Sequence, residues 1–162
     1  MKVIIIYGGN SSEKQISIKT GIAVNKALSE AFDTQMVMLN DDYRIIKDYY
    51  CNGDIVFNGL HGGYGENGEI QSFFESEKIR FIGSGSSACS LAIDKIKSKK
   101  IAESLSCSVP YGKIVNDISA FNDFETPFIV KPNEEGSSVG FSQILHEKDL
   151  KKALKVSKKY NR

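Results

Sequence analysis

The sequence predicts an α/β protein in two parts: a parallel sheet with crossing helices over residues 1–85, then a smaller, incomplete α+β part over residues 86–162. Three observations carry this reading. Lys2 to Tyr7 holds a continuous apolar run, the pattern of a strand buried on both faces. Apolar runs then alternate with helical stripes as far as Ile82, the order that builds βαβ units. Beyond Gly83-Ser84-Gly85-Ser86-Ser87 the strand candidates shorten and lose their long crossovers, which favours antiparallel pairing with helices on one face.

Taken in order, Gly8-Gly9-Asn10-Ser11-Ser12 turns the chain after the first strand. Ile18, Ile22, Ala23, Ala27, Leu28 and Ala31 recur at helical spacing, with Ser12 or Ser17 as candidate N-caps. Strands follow at Gln35–Leu39 and Asp54–Leu60. Ile70, Phe73 and Phe74 form a short helical stripe, and Arg80–Ile82 is a fourth strand. In the second part Ile93–Leu105 is helical, and Tyr111–Val115, Pro127–Val130 and Val139–Leu145 are expected as strands. Lys148–Lys159 is a helix whose Leu150, Ala153 and Leu154 face inward, leaving its lysines as a solvated face.

Composition narrows the function classes. Of 162 residues, 41% are apolar and 25% charged, which is ordinary for a folded domain. The formal net charge is +1, so no overall field points to nucleic acid or a membrane surface. No apolar run is long enough to span a bilayer, and MKVIII is too short for a signal-peptide core. Cys51, Cys89 and Cys107 are odd in number and form no CxxC pair, so neither a zinc site nor a disulfide frame is indicated. A cytoplasmic location is the default expectation.

Chemistry concentrates in three segments. GGNSSEKQIS, from Gly8 to Ser17, brings Glu13 to the start of a helix. LHGGYGENGE, from Leu60 to Glu69, presents His61. Both loops leave carboxyl ends of strands, where ligands gather in an open parallel sheet. If both strands are central, Glu13 and His61 share one rim, where a carboxylate beside an imidazole can hold an ammonium group or move a proton. Glu13 could equally complement a helix dipole, and His61 could cap or edge the core. The third segment is PFIVKPNEEGSSVGFS, Pro127 to Ser142, with Lys131 at the mouth of a Gly-Ser-Ser loop. Small residues let backbone N–H groups approach phosphate oxygens, and the lysine adds charge. The same segment also reads as a hairpin with a polar loop. It is not a Walker A motif, because the lysine precedes the glycine, and G-x-G-x-x-G is absent. Lys95, after Asp94, is either a second phosphate contact or surface.

GGNSSEKQIS, LHGGYGENGEIQ, IGSGSSACSLAIDKIKSK and PFIVKPNEEGSSVGFS stand in the order and spacing of D-alanine–D-alanine ligases, and the chain resembles that ATP-grasp family throughout its length. The resemblance implies an amino-terminal Rossmann-like domain (pre-ATP-grasp) over 1–85 and a partial ATP-grasp central subdomain over 86–162. It implies ATP-dependent joining of two D-alanines through an acylphosphate, for peptidoglycan synthesis. Glu13 would bind the ammonium of the first D-alanine, Ile16 its methyl group and His61 its carboxylate, with Ser137 hydrogen-bonding Glu13. Lys95 and Lys131 would bind the α- and β-phosphates, and the loop 134–139, with Glu135, Gly136, Ser137 and Ser138, would cover them. Glu13, His61 and Ser137 are thus the expected catalytic set.

Members of the family are roughly twice as long, so the resemblance covers an amino-terminal half. The Mg²⁺ ligands are expected in the carboxy-terminal half and cannot be placed here. Two expectations follow: that the 162-residue chain alone does not turn over, and that an unpaired edge near Val139–Leu145 favours a homodimer or association with a partner fragment. A non-catalytic D-amino-acid-binding fragment, and a ligase taking D-lactate or D-serine as second substrate, stay open as alternatives.

Overall fold

A computed structural model describes residues 1–122 and 124–160. The chain divides into two compact units, Met1–Leu91 and Ala92–Arg162.

The first unit is built on four parallel strands in the order β2-β1-β3-β4. These are β1 (Lys2–Gly8), β2 (Asp33–Leu39), β3 (Ile55–Asn58) and β4 (Phe81–Ile82). The parallel sheet agrees with the sequence reading. β1 lies between β2 and β3, which is why its apolar run is continuous: Val3, Ile4, Ile5 and Ile6 are all buried. Ile4 and Ile6 join Val37, Leu39, Val56, Ile70 and Phe74 in the main core. The opposite side of β1 meets α1 (Lys14–Leu28), where Tyr7 packs on Gly21. α2 (Glu69–Ser76) leads from β3 to β4, and α3 (Ser86–Ile93) follows.

α1 departs from its expected design. Neither Ser12 nor Ser17 caps it; Glu13 occupies the cap position and its side chain makes no capping hydrogen bond. Its buried residues are Ser17 and Gly21, while Ile22 is 56% exposed. The helix lies so close to the sheet that only small residues fit: a Cβ on Gly21 would stand 2.7 Å from the Cβ of Tyr7. The Ser17 hydroxyl uses this proximity. It accepts from Gly8 N–H at 2.8 Å and donates to Gly59 C=O at 2.7 Å, joining the ends of β1 and β3 to the helix.

In the second unit, β5 (Phe128–Val130) and β6 (Ser142–Ile144) pair antiparallel. α4 (Lys95–Ser104) precedes them and α5 (Leu150–Lys158) follows. Val130 and Ile144 share a core with Phe121, Leu150, Ala153 and Leu154, so the inward face of α5 is the expected one. The strand expected at Tyr111–Val115 does not form. Tyr111 and Ile114 are 74% and 60% exposed, and this short β-prone run lacks the buried face and ladder partner that a strand needs.

Ser17→Ala removes both hydrogen bonds at a fully buried site and strands one donor and one acceptor. We expect a loss of about 1–3 kcal/mol in unfolding free energy by urea titration; an unchanged midpoint would contradict this role.

Candidate functional site

The strand order puts β1 beside β3 with β2 on the far side, so the chain reverses its direction of growth between them. Loops leaving such a pair diverge and open a crevice at the carboxyl end of the sheet. Those two loops carry Glu13 and His61.

Backbone and hydroxyl contacts hold them together. Ser11 Oγ donates to the His61 carbonyl at 2.5 Å and accepts from Glu13 N–H at 3.1 Å. Gly62, with φ +65°, brings the second loop onto the first; a Cβ there would fall 2.8 Å from Glu13 Oε2. Only glycine meets both the left-handed conformation and this clearance. Glu13 is 5% exposed. Ile16, one turn on, is 49% exposed. His61 is partly buried, its Nε2 lying 2.9 Å from Thr20 Oγ1 and its Nδ1 3.6 Å from Glu66 Oε1. Beneath the loop, Tyr64 Oη–H donates to Asn40 C=O at 2.6 Å, and burial pushes its pKa up to about 12, so it stays a neutral strut.

Ser11, Thr20 and Glu66 were not singled out from the sequence, and Ser17 was read only as a candidate helix cap. A signal existed: Ser17 and Thr20 follow Glu13 by four and seven residues, one stripe of a helix. Serines and threonines are too common for that stripe to stand out unaided.

The second unit gathers the other candidates around the amino end of α4. Asp94 caps the helix: its Oδ1 accepts from Ile96 N–H at 3.1 Å, Lys97 N–H at 3.0 Å and Asn133 Nδ2 at 2.9 Å. Lys95 Nζ donates to Asn133 C=O at 2.9 Å and Glu135 C=O at 2.6 Å, so the segment after Lys131 is strapped to the helix. Burial lowers the Lys95 pKa, and the nearby charge of Lys131 lowers it further. Two lysines thus converge where the Pro127–Ser142 segment leaves β5. They line a cavity of about 620 Å³ that also includes Ile96, Phe128, Val130 and Leu154. That size falls in the range of small-molecule sites.

The loop itself turns through left-handed residues, Ser137 at φ 45°, Ser138 at φ 61° and Gly140 at φ 70°. For the two serines this conformation costs on the order of 1 kcal/mol each. Val139 N–H to Gly136 C=O and Phe141 N–H to Ser138 C=O hold the turn. Glu134 is exposed, Glu135 and Gly136 partly so. Among the described residues no group of three or more His, Cys, Asp or Glu side chains could hold a metal ion, and no helix is long and apolar enough to cross a membrane.

A family model described as the D-ala D-ala ligase C-terminus matches residues 112–162. The chain is 35% identical to the D-alanine–D-alanine ligase of Pseudomonas entomophila (strain L48), over 99% of this chain and 52% of that one. It is 38% identical to that of Aquifex aeolicus (strain VF5), over 100% of this chain and 57% of that one. Among solved structures, D-alanine–D-alanine ligase from Helicobacter pylori matches with TM-score 0.85 and 26% identity, covering 99% of this chain and 64% of that one. The Bacillus anthracis ligase matches with TM-score 0.82 and 29% identity, covering 99% and 55%. The chain spans about half the length of the curated relatives it matches.

Lys97 N–H, then the Asn133 amide, hold the Asp94 carboxyl well below the usual carboxylate range. A depressed folded pKa adds stability that is present above the unfolded value of about 4 and lost as pH falls below it. Asp94→Asn keeps a capping oxygen but not the charge. Melting temperatures measured from pH 6 down to pH 2 should therefore fall less steeply in the variant than in the wild type.

Proposed function

We propose that this chain, which is related along its whole length to the D-alanine–D-alanine ligases, supplies the amino-acid and nucleotide phosphate contacts of such an enzyme. The arrangement that carries this reading is the crevice between β1 and β3, where the bare backbone of Gly62 packs so close to the Glu13 carboxylate that a Cβ would crowd it, with His61 next to Gly62 on the same loop. The first unit then acts as the Rossmann-like amino-terminal domain and the second as part of an ATP-grasp subdomain. The name of the relatives supports a ligase function, and peptidoglycan precursor synthesis in the cytoplasm follows from it.

On this reading the first D-alanine places its ammonium on Glu13, its methyl group by Ile16 and its carboxylate by His61. An ammonium gains most from a carboxylate in a partly dehydrated pocket, and Glu13 is 5% exposed. A carboxylate oxygen of D-alanine attacks the γ-phosphorus of ATP, the bond to the β,γ-bridging oxygen breaks, and ADP leaves as the acylphosphate forms. The amine of a second D-alanine attacks its carbonyl carbon, and phosphate leaves with the C–O bond electrons as the amide forms. Lys95 and Lys131 take the α- and β-phosphates. This fits their convergence on the cavity beside β5. Lys95 would exchange its two carbonyl partners for phosphate oxygens. Glu135, Gly136, Ser137 and Ser138 form the cover over these phosphates. Glu134 and Glu135 lie near enough to act on the charge of Lys95, so a bound triphosphate requires both carboxylates to turn away from it. A magnesium ion accompanies ATP in such reactions and screens its charge. The described residues do not offer the three-ligand group a resident metal needs, so no step is assigned to it.

Calorimetry on this chain tests both contact sets. D-alanine should bind, and Glu13→Gln should weaken it about 10- to 100-fold, the loss of one charged hydrogen bond. Lys131→Met should weaken a non-hydrolysable ATP analogue by a similar factor while leaving D-alanine unaffected. Absence of heat with either ligand in the wild type would remove the proposal.

A further inference from the structure

Asn58 is the last residue of β3, in register with Ile6 of β1. The residue after it is held twice: Gly59 N–H donates to Ile6 C=O at 2.9 Å, and Gly59 C=O accepts from Ser17 Oγ at 2.7 Å. The backbone here therefore belongs to the sheet. The loop over residues 60–65, which carries His61 and Gly62, starts from this fixed point, and the Asn58 side chain reaches both of its feet. Oδ1 accepts from Leu60 N–H at 3.1 Å, and Nδ2 donates to Gly65 C=O at 2.8 Å. The feet are in contact, since a Cβ on Gly65 would fall 2.5 Å from that of Leu60. α2 grips the same carbonyl: Gln71 Nε2 donates to Gly65 C=O at 2.8 Å, so both lone pairs of that oxygen are used. Gln71 is buried, and its Oε1 has no hydrogen-bond partner among the described residues. Turning the amide over would set Oε1 against the Gly65 oxygen, acceptor against acceptor, so the grip on Gly65 decides the orientation and leaves Oε1 unpaired. At its crown the loop is tied across the crevice, where Ser11 Oγ donates to His61 C=O and accepts from Glu13 N–H.

We propose that Asn58 is a positioning residue for this rim: its side chain spans the feet of the loop and, with Gln71, holds His61 and Gly62 at a fixed distance from Glu13. A loop without this brace occupies the competent position only part of the time, and apparent affinity falls by that fraction. The role toward D-alanine rests on the functional reading above, whereas the brace itself does not.

Asn58→Asp keeps the size and the acceptor for Leu60 N–H but sets a carboxylate oxygen against Gly65 C=O. In calorimetry well below the unfolding temperature it should weaken D-alanine about tenfold, the weight of one buried hydrogen bond, and leave a non-hydrolysable ATP analogue unaffected. Asn58→Ala, which removes the brace without the repulsion, should change the two affinities in the same pattern. A residue that served stability alone would leave the folded protein's affinity for D-alanine unchanged. Amide hydrogen exchange reads the link across the rim: Glu13 N–H, on the opposite loop, should exchange faster in both variants than in the wild type. In the ligand-free wild type, one proton of the Asn58 side-chain amide should be protected by Gly65 C=O. An unprotected Asn58 amide would overturn the proposal, as would variants with wild-type affinity for D-alanine, with unchanged Glu13 exchange, or with the ATP analogue weakened equally. The wild-type measurement decides even if neither variant folds. If the wild type binds no D-alanine while exchange follows the expected pattern, the brace stands and the functional reading fails.

Discussion

One hydroxyl group organises the first unit. Ser17 Oγ accepts a hydrogen bond from Gly8 N–H and donates one to Gly59 C=O, at the points where β1 and β3 end. Without it, those two backbone groups would lie dehydrated under a helix that offers them nothing else. Their pairing through Ser17 lets α1 come close enough for Gly21 to rest on Tyr7. That proximity places Glu13 at the head of the helix and Thr20 beside His61. The crevice is thus a by-product of burying the ends of two strands. Specific polar groups, rather than apolar area, fix its dimensions.

Much of this was legible in the sequence, and the failures are physical. The run Lys2–Tyr7 announced a buried parallel strand because central strands have no polar face to show. The glycine-rich loops announced a crevice because they leave strand ends. The apolar residues of α1 misled, since the helix buries its small side chains and leaves Ile22 outside. Helical periodicity finds a face by size and apolarity, and here closeness to the sheet reversed that preference. Ser17 read as a cap for the same reason: a serine near a helix start serves the helix in most settings, but here it serves the sheet. Tyr111–Val115 has β propensity and no strand partner, and propensity cannot supply one. Single-sequence reading also missed the hydroxyls of Ser11 and Thr20, whose importance lies only in what they touch.

The second unit solves a different problem. A lysine held among apolar groups must spend its protons somewhere, and Lys95 gives them to the carbonyls of Asn133 and Glu135. Asp94 and Asn133 close the same knot from the other side. The strap orders the loop when nothing is bound, and it does so with bonds an anion can replace one for one. Further along, the same loop turns through the left-handed residues Ser137 and Ser138.

Gly62 has a consequence for how such a site can change. The width beside Glu13 is set by backbone, not by a side chain that could be lengthened one carbon at a time. The smallest possible step, a single methyl group, would stand 2.8 Å from the carboxylate and would also require φ +65° of a residue that resists it. No gradual path of resizing runs through this position. Any change in the dimensions of this rim must instead pass through exposed neighbours such as Ile16, where side chains come in graded sizes and the helical backbone tolerates each of them.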